Sequence, residues 1–217
     1  MFIRVRKQTS IMDSRNVALF DMDNTLCDYN GQFTRDMERL GPPIEPEFIG
    51  SLANAPVEVQ RRADSIKSSA RWWQSLPKLQ LGWDVLGIAR DLGYRIVILT
   101  GASKRYPEAL VGKKLWIDEN LGPDVGVIFT REKGLVYGKV LVDDFPKYTE
   151  SWLTERKKGL VVMPAHWYNE GYSHDQVIKY DGSNREEIGR AMEMRLAEPQ
   201  ELSRLLRGRQ DARRRIR

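Results

Sequence analysis

Short, uninterrupted apolar runs recur along the chain and are separated by segments of helical spacing. Asn16–Phe20 reads as a buried strand that runs straight into Asp21. From residue 33 to residue 80 the pattern changes. Thr34–Leu40 and Val57–Trp73 carry apolar residues at helical spacing, with the proline-rich Gly41–Pro46 between them. Leu81–Leu92 predicts an amphipathic helix, and Gly93 is a natural C-cap for it. Further strands are predicted at Tyr94–Leu99, Val125–Phe129, Lys139–Val142 and Leu160–Met163. Helices are predicted at Pro107–Asn120, stopped by Gly122 and Pro123, and at Pro146–Lys158. Ser183–Glu186 has the spacing of a capping box and opens a last helix to about Leu196.

Short, fully apolar strands alternating with helices predict an α/β fold, a three-layer sandwich with a Rossmann-like parallel sheet covered on both faces. The expected organisation is a core of residues 1–27 and 81–200. A small helical cap, 28–80, is inserted after the first strand, and a basic tail, 201–217, ends the chain. Sheets of this kind bind ligands outside the carboxyl ends of their strands. The polar residues at those ends are Asp21, Thr100 and the pair Asp143 and Asp144.

Composition narrows the class. At 217 residues, 41% hydrophobic and 30% charged, the chain has the balance of a globular protein with a sizeable core. No apolar run approaches the roughly 18–20 residues of a membrane-spanning helix, and residues 1–16 lack the apolar stretch of a signal peptide. The single Cys27 leaves no internal disulfide, and two histidines, His166 and His174, make a histidine metal centre a poor expectation. A reducing, cytoplasmic compartment fits this usage. The net charge of +5 is local. Residues 204–217 hold seven arginines and one aspartate, a net +6, so the other residues carry −1. Such a tail is a solvated helix end or a weak contact for nucleic acid or another acidic partner. A homodimer is compatible with the sequence, and no membrane partner is expected.

The strand ends carry the chemistry. Asp21 and Asp23 leave the first strand two residues apart, and Asp143 and Asp144 leave a later one. Four acids in one cleft repel strongly unless a divalent cation sits among them. All-oxygen donors suit Mg²⁺, with Asp21, Asp23, Asp143 and Asp144 as the candidate ligands. Thr100, with the amides of Gly101 and Ala102 opening a helix, can hold an anion, and a nearby lysine would complete a phosphate clamp. Together these groups describe phosphoryl transfer through an aspartyl phosphate.

These residues resemble the motifs of the haloacid dehalogenase superfamily of phosphatases: Asp21-Met-Asp-Asn-Thr25, then Thr100, then Val142-Asp143-Asp144. Within it the chain is similar to the 5′(3′)-deoxyribonucleotidases. That likeness rests on Leu121-Gly-Pro-Asp124, Ile128-Phe-Thr-Arg-Glu-Lys133 and Leu141-Val-Asp-Asp-Phe-Pro146, with ten residues from the lysine to the first acid. The resemblance implies a Mg²⁺-dependent phosphatase of (deoxy)nucleoside monophosphates. It implies Asp21 as nucleophile, Asp23 as general acid and base, Thr100 and Gly101 as phosphate ligands, and Lys133 as the phosphate lysine, with Lys139 as competitor. Tyr29 and Arg131 fall at the nucleotide contacts, and Phe48 is a candidate to close the pocket. Two departures stand out. Asn24 replaces a glycine, a change that a positive φ tolerates, and Gly101–Arg105 differs from the nucleotidases' pattern after the threonine.

Other readings attach to the same residues. Trp72 and Trp73 stack a nucleobase or belong to the cap's core. His166 and His174 fit surface or loop positions, and Cys27 fits packing. The alternatives to a mononucleotidase are a 3′-phosphatase of polynucleotide ends, which the tail would suit, a sugar-phosphate phosphatase, and a non-catalytic nucleic-acid-binding protein on this fold.

Overall fold

The computed structural model describes residues 16–101 and 103–196. The arginine-rich tail and Ala102 lie outside the described residues. Six strands form one parallel sheet: β1 (Val17–Phe20), β2 (Arg95–Thr100), β3 (Gly126–Phe129), β4 (Val140–Val142), β5 (Leu160–Pro164) and β6 (Val177–Tyr180). Their order is β3-β2-β1-β4-β5-β6, and every pairing is parallel. The chain builds outward from β1 on one side, then crosses over to place β4 on the other. The order therefore reverses between β1 and β4, and that is where a crevice opens at the carboxyl edge of such a sheet.

Strand alternation assigns the two cores. Ala18 and Phe20 point with Ile98, Val140, Val142 and Val162 into the larger core. It is covered by α5 (Gln80–Asp91), α6 (Glu108–Leu121) and a last helix, α8, over 185–196. Val17 and Leu19 point the other way with Leu141, Val161 and Met163, onto Trp152 and Leu153 of α7 (Pro146–Thr154). Both faces being covered explains why β1, β4 and β5 are apolar at every position.

Between β1 and α5 stand four helices: α1 (Tyr29–Arg39), α2 (Pro46–Gly50), α3 (Val57–Lys67) and α4 (Ala70–Gln74). They have a core of their own, formed by Phe33, Met37, Ile44, Ala63 and Ile66. The chain enters and leaves this cap side by side. Asp28 N–H donates to Pro77 O at 2.8 Å and Leu79 N–H to Leu26 O at 3.0 Å. Gly112 lets α6 approach α4 so closely that a Cβ there would lie 2.2 Å from Ala70 O. A loop contact adds to this: Arg105 and the Tyr106 hydroxyl both bond Asp64 of α3, at 2.6 and 2.7 Å.

Several elements differ from the sequence expectation. β6 is additional. It is an edge strand, its residues half-buried until Tyr180, so its pattern lacks the apolar signature of the inner strands. Val57–Trp73 is two helices, broken at Ser68 and Ser69, where the Ser69 side chain accepts from Trp72 N–H and restarts the helix. Gly41–Pro46 leads into a short helix with Pro46 at its first position. Pro146–Lys158 ends early, at Thr154. The helix predicted at Pro107–Asn120 is α6, and Gly101, expected to open a helix after Thr100, lies in a loop before it. Ser183 caps no helix: its hydroxyl donates to Asp181 at 2.6 Å, and α8 begins two residues later.

Lys67, at the end of α3, is 6% exposed. Its ammonium lies 4.0 Å from the Phe33 ring centroid and 5.3 Å from that of Tyr29. Burial lowers its pKa from 10.5 to about 8. An unfolded lysine titrates near 10.4. Between those values the unfolded chain binds more protons, so stability rises with pH through the window, and the cost of the buried charge is fully present below it. Ring contacts offset part of that cost. Lys67→Met should therefore be more stable than the parent at pH 7, by about 1–2 kcal/mol. The advantage should shrink toward pH 10. Urea unfolding at the two pH values measures both.

Candidate active site

The site is built where the order of strands reverses. The register sets Phe20 beside Val142, so Asp21 and Asp143 leave the sheet side by side, and Asp21 N–H still bonds Val142 O at 2.9 Å. One carboxylate oxygen each of Asp21, Asp143 and Asp144 lies within 4.8 Å of the others, and all three residues are buried. Lys133 reaches in from a single 3-10 turn, Lys133–Leu135. Its Nζ lies 2.7 Å from Asp21 Oδ1 and 2.6 Å from Asp143 Oδ2. Burial alone would depress this lysine, but the carboxylates of Asp143 and Asp21 more than reverse that and raise its pKa.

One lysine does not balance three acids. Burial, then Asp143 and Asp21, push the Asp144 carboxyl far above the usual carboxylate range. Its oxygens take bonds from Thr25 Oγ1 at 3.0 Å and from the Tyr168 hydroxyl at 2.5 Å. Asn169 Nδ2 holds its main-chain carbonyl at 2.9 Å. An excess of buried negative charge on hard oxygen donors is the setting that a divalent cation relieves, and the donor set fits Mg²⁺ in kind.

Asp23 is not in this group of carboxylates, contrary to the four-acid ligand set expected from sequence. Lys113 draws it away. The Lys113 ammonium, 2% exposed, lies 2.6 Å from Asp23 Oδ2 and donates to Thr100 Oγ1 at 3.1 Å. Burial raises the Asp23 pKa, against the pull of Lys113, and Asp21 adds to the rise. Asp23 Oδ1 is buried with no hydrogen-bond partner among the described residues. Thr100 is thus tied to the site through a lysine that sequence reasoning passed over. The signal was present, since Ala109, Gly112, Lys113, Trp116 and Ile117 form one buried stripe on α6 and only one of them is charged.

The turn that carries Asp23 is held on both sides. Asn24 has φ 55°, as its place in the motif requires. Its main-chain carbonyl accepts from His166 Nε2 at 2.7 Å, and its side-chain oxygen from Asn30 N–H at 2.8 Å. His166 is therefore a brace for this turn, and burial lowers its pKa. Gly82 of α5 backs the same turn so closely that a Cβ would fall 1.8 Å from Thr25 O.

A cavity of about 830 Å³ spans these residues and the cap, bounded by Asp21, Asp23 and Asp144 below and by Ile49, Leu52 and Lys67 above. Tyr29, Gly101 and Arg131 line it too. Tyr29 stacks on Trp73 with ring centroids 5.5 Å apart. Arg131 is exposed. Phe48 is not among the lining residues. It packs against the cap's own core, while Glu47 and Ile49 on either side of it face the cavity. Trp73 is buried, and Trp72 packs against both the cap and the main core, so both fill the junction as core residues. Lys139 precedes β4 at its amino end, bonding Val17 O through its own N–H, three strand residues away from Asp143. His174 bonds Gln176 N–H on the surface, and Cys27 is buried against Met22. No described helix is long and apolar enough to cross a membrane.

The human "5'(3')-deoxyribonucleotidase, cytosolic type" is 26% identical over 140 residues, 58% of this chain and 69% of that one. A Bordetella pertussis protein named "Putative 5'(3')-deoxyribonucleotidase" is 26% identical over 141 residues, 61% of this chain and 76% of that one. A HAD hydrolase of family IA, variant 3, from Entamoeba histolytica superposes with a TM-score of 0.48 at 11% identity, over 82% of this chain and 99% of that one. The family model "5' nucleotidase, deoxy (Pyrimidine), cytosolic type C protein" matches residues 15–171, a stretch that runs from the edge of β1 past Asn169. The chain belongs to that nucleotidase family, NT5C, and is a phosphatase.

Proposed function

We propose that the protein is a Mg²⁺-dependent phosphomonoesterase that hydrolyses deoxynucleoside monophosphates by way of an aspartyl phosphate on Asp21. The supporting observation is the division of labour between two neighbouring acids. Asp21 sits in the acid cluster, held by Lys133, whereas Asp23 is drawn out of it by Lys113 and keeps one oxygen without a partner. A nucleotide substrate is supported by the family and by the names of its relatives. The cavity has ample room for a nucleoside monophosphate.

Asp21 supplies the oxygen that bonds phosphorus, while the bond from phosphorus to the nucleoside oxygen breaks. Asp23, protonated, gives its proton to that departing oxygen. It then takes a proton from water, whose oxygen bonds phosphorus and releases Asp21 as a free carboxylate. Lys133 neutralises charge beside Asp21 throughout. Asp21, Asp143 and Asp144 would hold the Mg²⁺, which supplies further neutralisation of the phosphoryl oxygens. In this reading Gly101 contacts the phosphate, with Thr100 behind it on Lys113, and Tyr29 and Arg131 contact the nucleoside.

Asp21→Asn should abolish release of phosphate from thymidine monophosphate and leave the circular dichroism spectrum unchanged. Turnover near the parental rate would rule out the covalent path. Asp23→Asn should form the phosphoenzyme slowly or not at all with nucleotides, yet still be phosphorylated by acetyl phosphate, whose leaving group needs no proton. Phosphoprotein mass spectrometry separates the two cases. Excess chelator should remove activity and added Mg²⁺ restore it; full activity in chelator would overturn the metal assignment.

Lys133→Ala should lower kcat/KM by about 100- to 1,000-fold, the range for a charged donor in a water-poor site. It should also lower the melting temperature, because two buried acids lose their partner. Lys139→Ala, at the far end of β4, should cost far less activity. Steady-state kinetics with a melting curve for each variant decides the ranking.

A further inference from the structure

Lys67 is a buried cation that the mechanism above does not use. It lines the active-site cavity from the cap. Its ammonium is surrounded by ring faces, with Phe33 at 4.0 Å, Tyr29 at 5.3 Å and Tyr106 at 5.9 Å. Among the described residues no carboxylate lies within ion-pair distance of it. The two acids close enough to act on it through space, Asp23 and Asp64, are already held by other cations. Lys113 takes Asp23, and Arg105 with the Tyr106 hydroxyl takes Asp64. Buried lysines are ordinarily paired, because an unmatched charge away from water is costly. Aromatic faces soften that cost without supplying a hydrogen-bond acceptor. The missing partner is therefore expected from the contents of the cavity.

Of the two acids that leave β1, Asp23, the proton donor to the leaving group, is the one whose charge acts on Lys67, whereas Asp21 is held by Lys133. Lys67 thus lines the cavity on the side of Asp23, where the proposed mechanism puts the leaving group. Arg105 and Arg131 also line the cavity; Arg105 is paired with Asp64, whereas Arg131 is exposed and has no acid partner among the described residues. The cavity's 830 Å³ leaves space beyond a nucleoside monophosphate.

We propose that Lys67 selects substrates whose leaving group carries a second anionic group, so that the preferred nucleotides are bisphosphates such as a deoxynucleoside 3′,5′-bisphosphate. This inference rests on the nucleotidase reading and sharpens it. Lys67 is here a specificity-determining residue, and the chemistry at Asp21 and Asp23 stays as described.

The test compares thymidine 5′-monophosphate with thymidine 3′,5′-bisphosphate, with release of the first phosphate followed by chromatography so that successive cleavages are not summed. The parent enzyme should prefer the bisphosphate in kcat/KM by about 10- to 100-fold, the range for a hydrogen bond to a charged group. Lys67→Met and Lys67→Gln should lose that preference, mainly through KM, while keeping kcat on the monophosphate within a few-fold. Equal kcat/KM on the two nucleotides in the parent would overturn the assignment and leave the nucleotidase reading intact. So would an equal loss on both in the variants, which would place a neutral nucleoside atom at the lysine. A parent that cleaves p-nitrophenyl phosphate and neither nucleotide would overturn the nucleotidase reading, and the role of Lys67 with it. The comparison in the parent needs no variant to fold.

Discussion

Three buried carboxylates within 4.8 Å of one another are a structural problem before they are a catalytic asset. Each has lost water, and each raises the energy of the others' ionised forms. Almost everything near the crevice can be understood as compensation. Lys133 bridges Asp21 and Asp143, Phe145 N–H caps Asp143, and Thr25 and Tyr168 donate to Asp144. The sheet brings the acids together and does not let them separate, because Phe20 and Val142 are locked in register one residue earlier. The strain is relieved by donors and by a cation, not by movement of the backbone.

The cap solves a different problem. The main core can hold the acids, but its carboxyl edge is open to water. The inserted helices cover it while remaining attached through a narrow stem at Cys27 and Lys78. Three further contacts fix the cap's position: Gly112 against Ala70, Trp116 Nε1 on Leu76 O, and Arg105 and Tyr106 on Asp64. The Asp64 contacts come from the loop that follows Thr100. Arg105, at the end of the segment that departs from the nucleotidases' pattern, is thus also a contact to the cap.

What was legible in the chain follows from which signals are local. Apolar runs such as Val17–Phe20 and Leu160–Met163 announced inner strands because both sheet faces are buried there. The acids at strand ends announced the site because nothing apolar explains them. Edge strand β6 escaped, since half of its environment is solvent and its pattern is mixed. Asp23 was placed among the metal ligands because spacing says nothing about which partner a side chain turns to. Only the helix α6, folded back over Thr100, sets Lys113 within 2.6 Å of it. Phe48 was assigned to the pocket by its type, whereas the short helix α2 turns it toward the cap's core and its neighbours toward the cavity.

Three lysines are buried around one crevice, and their different surroundings give them different work. Lys133 has two carboxylates, and these raise its pKa and favour its charged form. Lys113 has one, and shares its remaining protons with Thr100 Oγ1 and Gly101 O. It fixes Asp23 by one oxygen and leaves the other without a bond, which is the arrangement a proton donor and acceptor needs. Lys67 has none among the described residues and is kept by aromatic rings. The number of acid partners falls from the sheet toward the cap, from two to one to none. A fixed, satisfied cation belongs where the nucleophile must not move. A cation without a protein partner belongs where the ligand is exchanged.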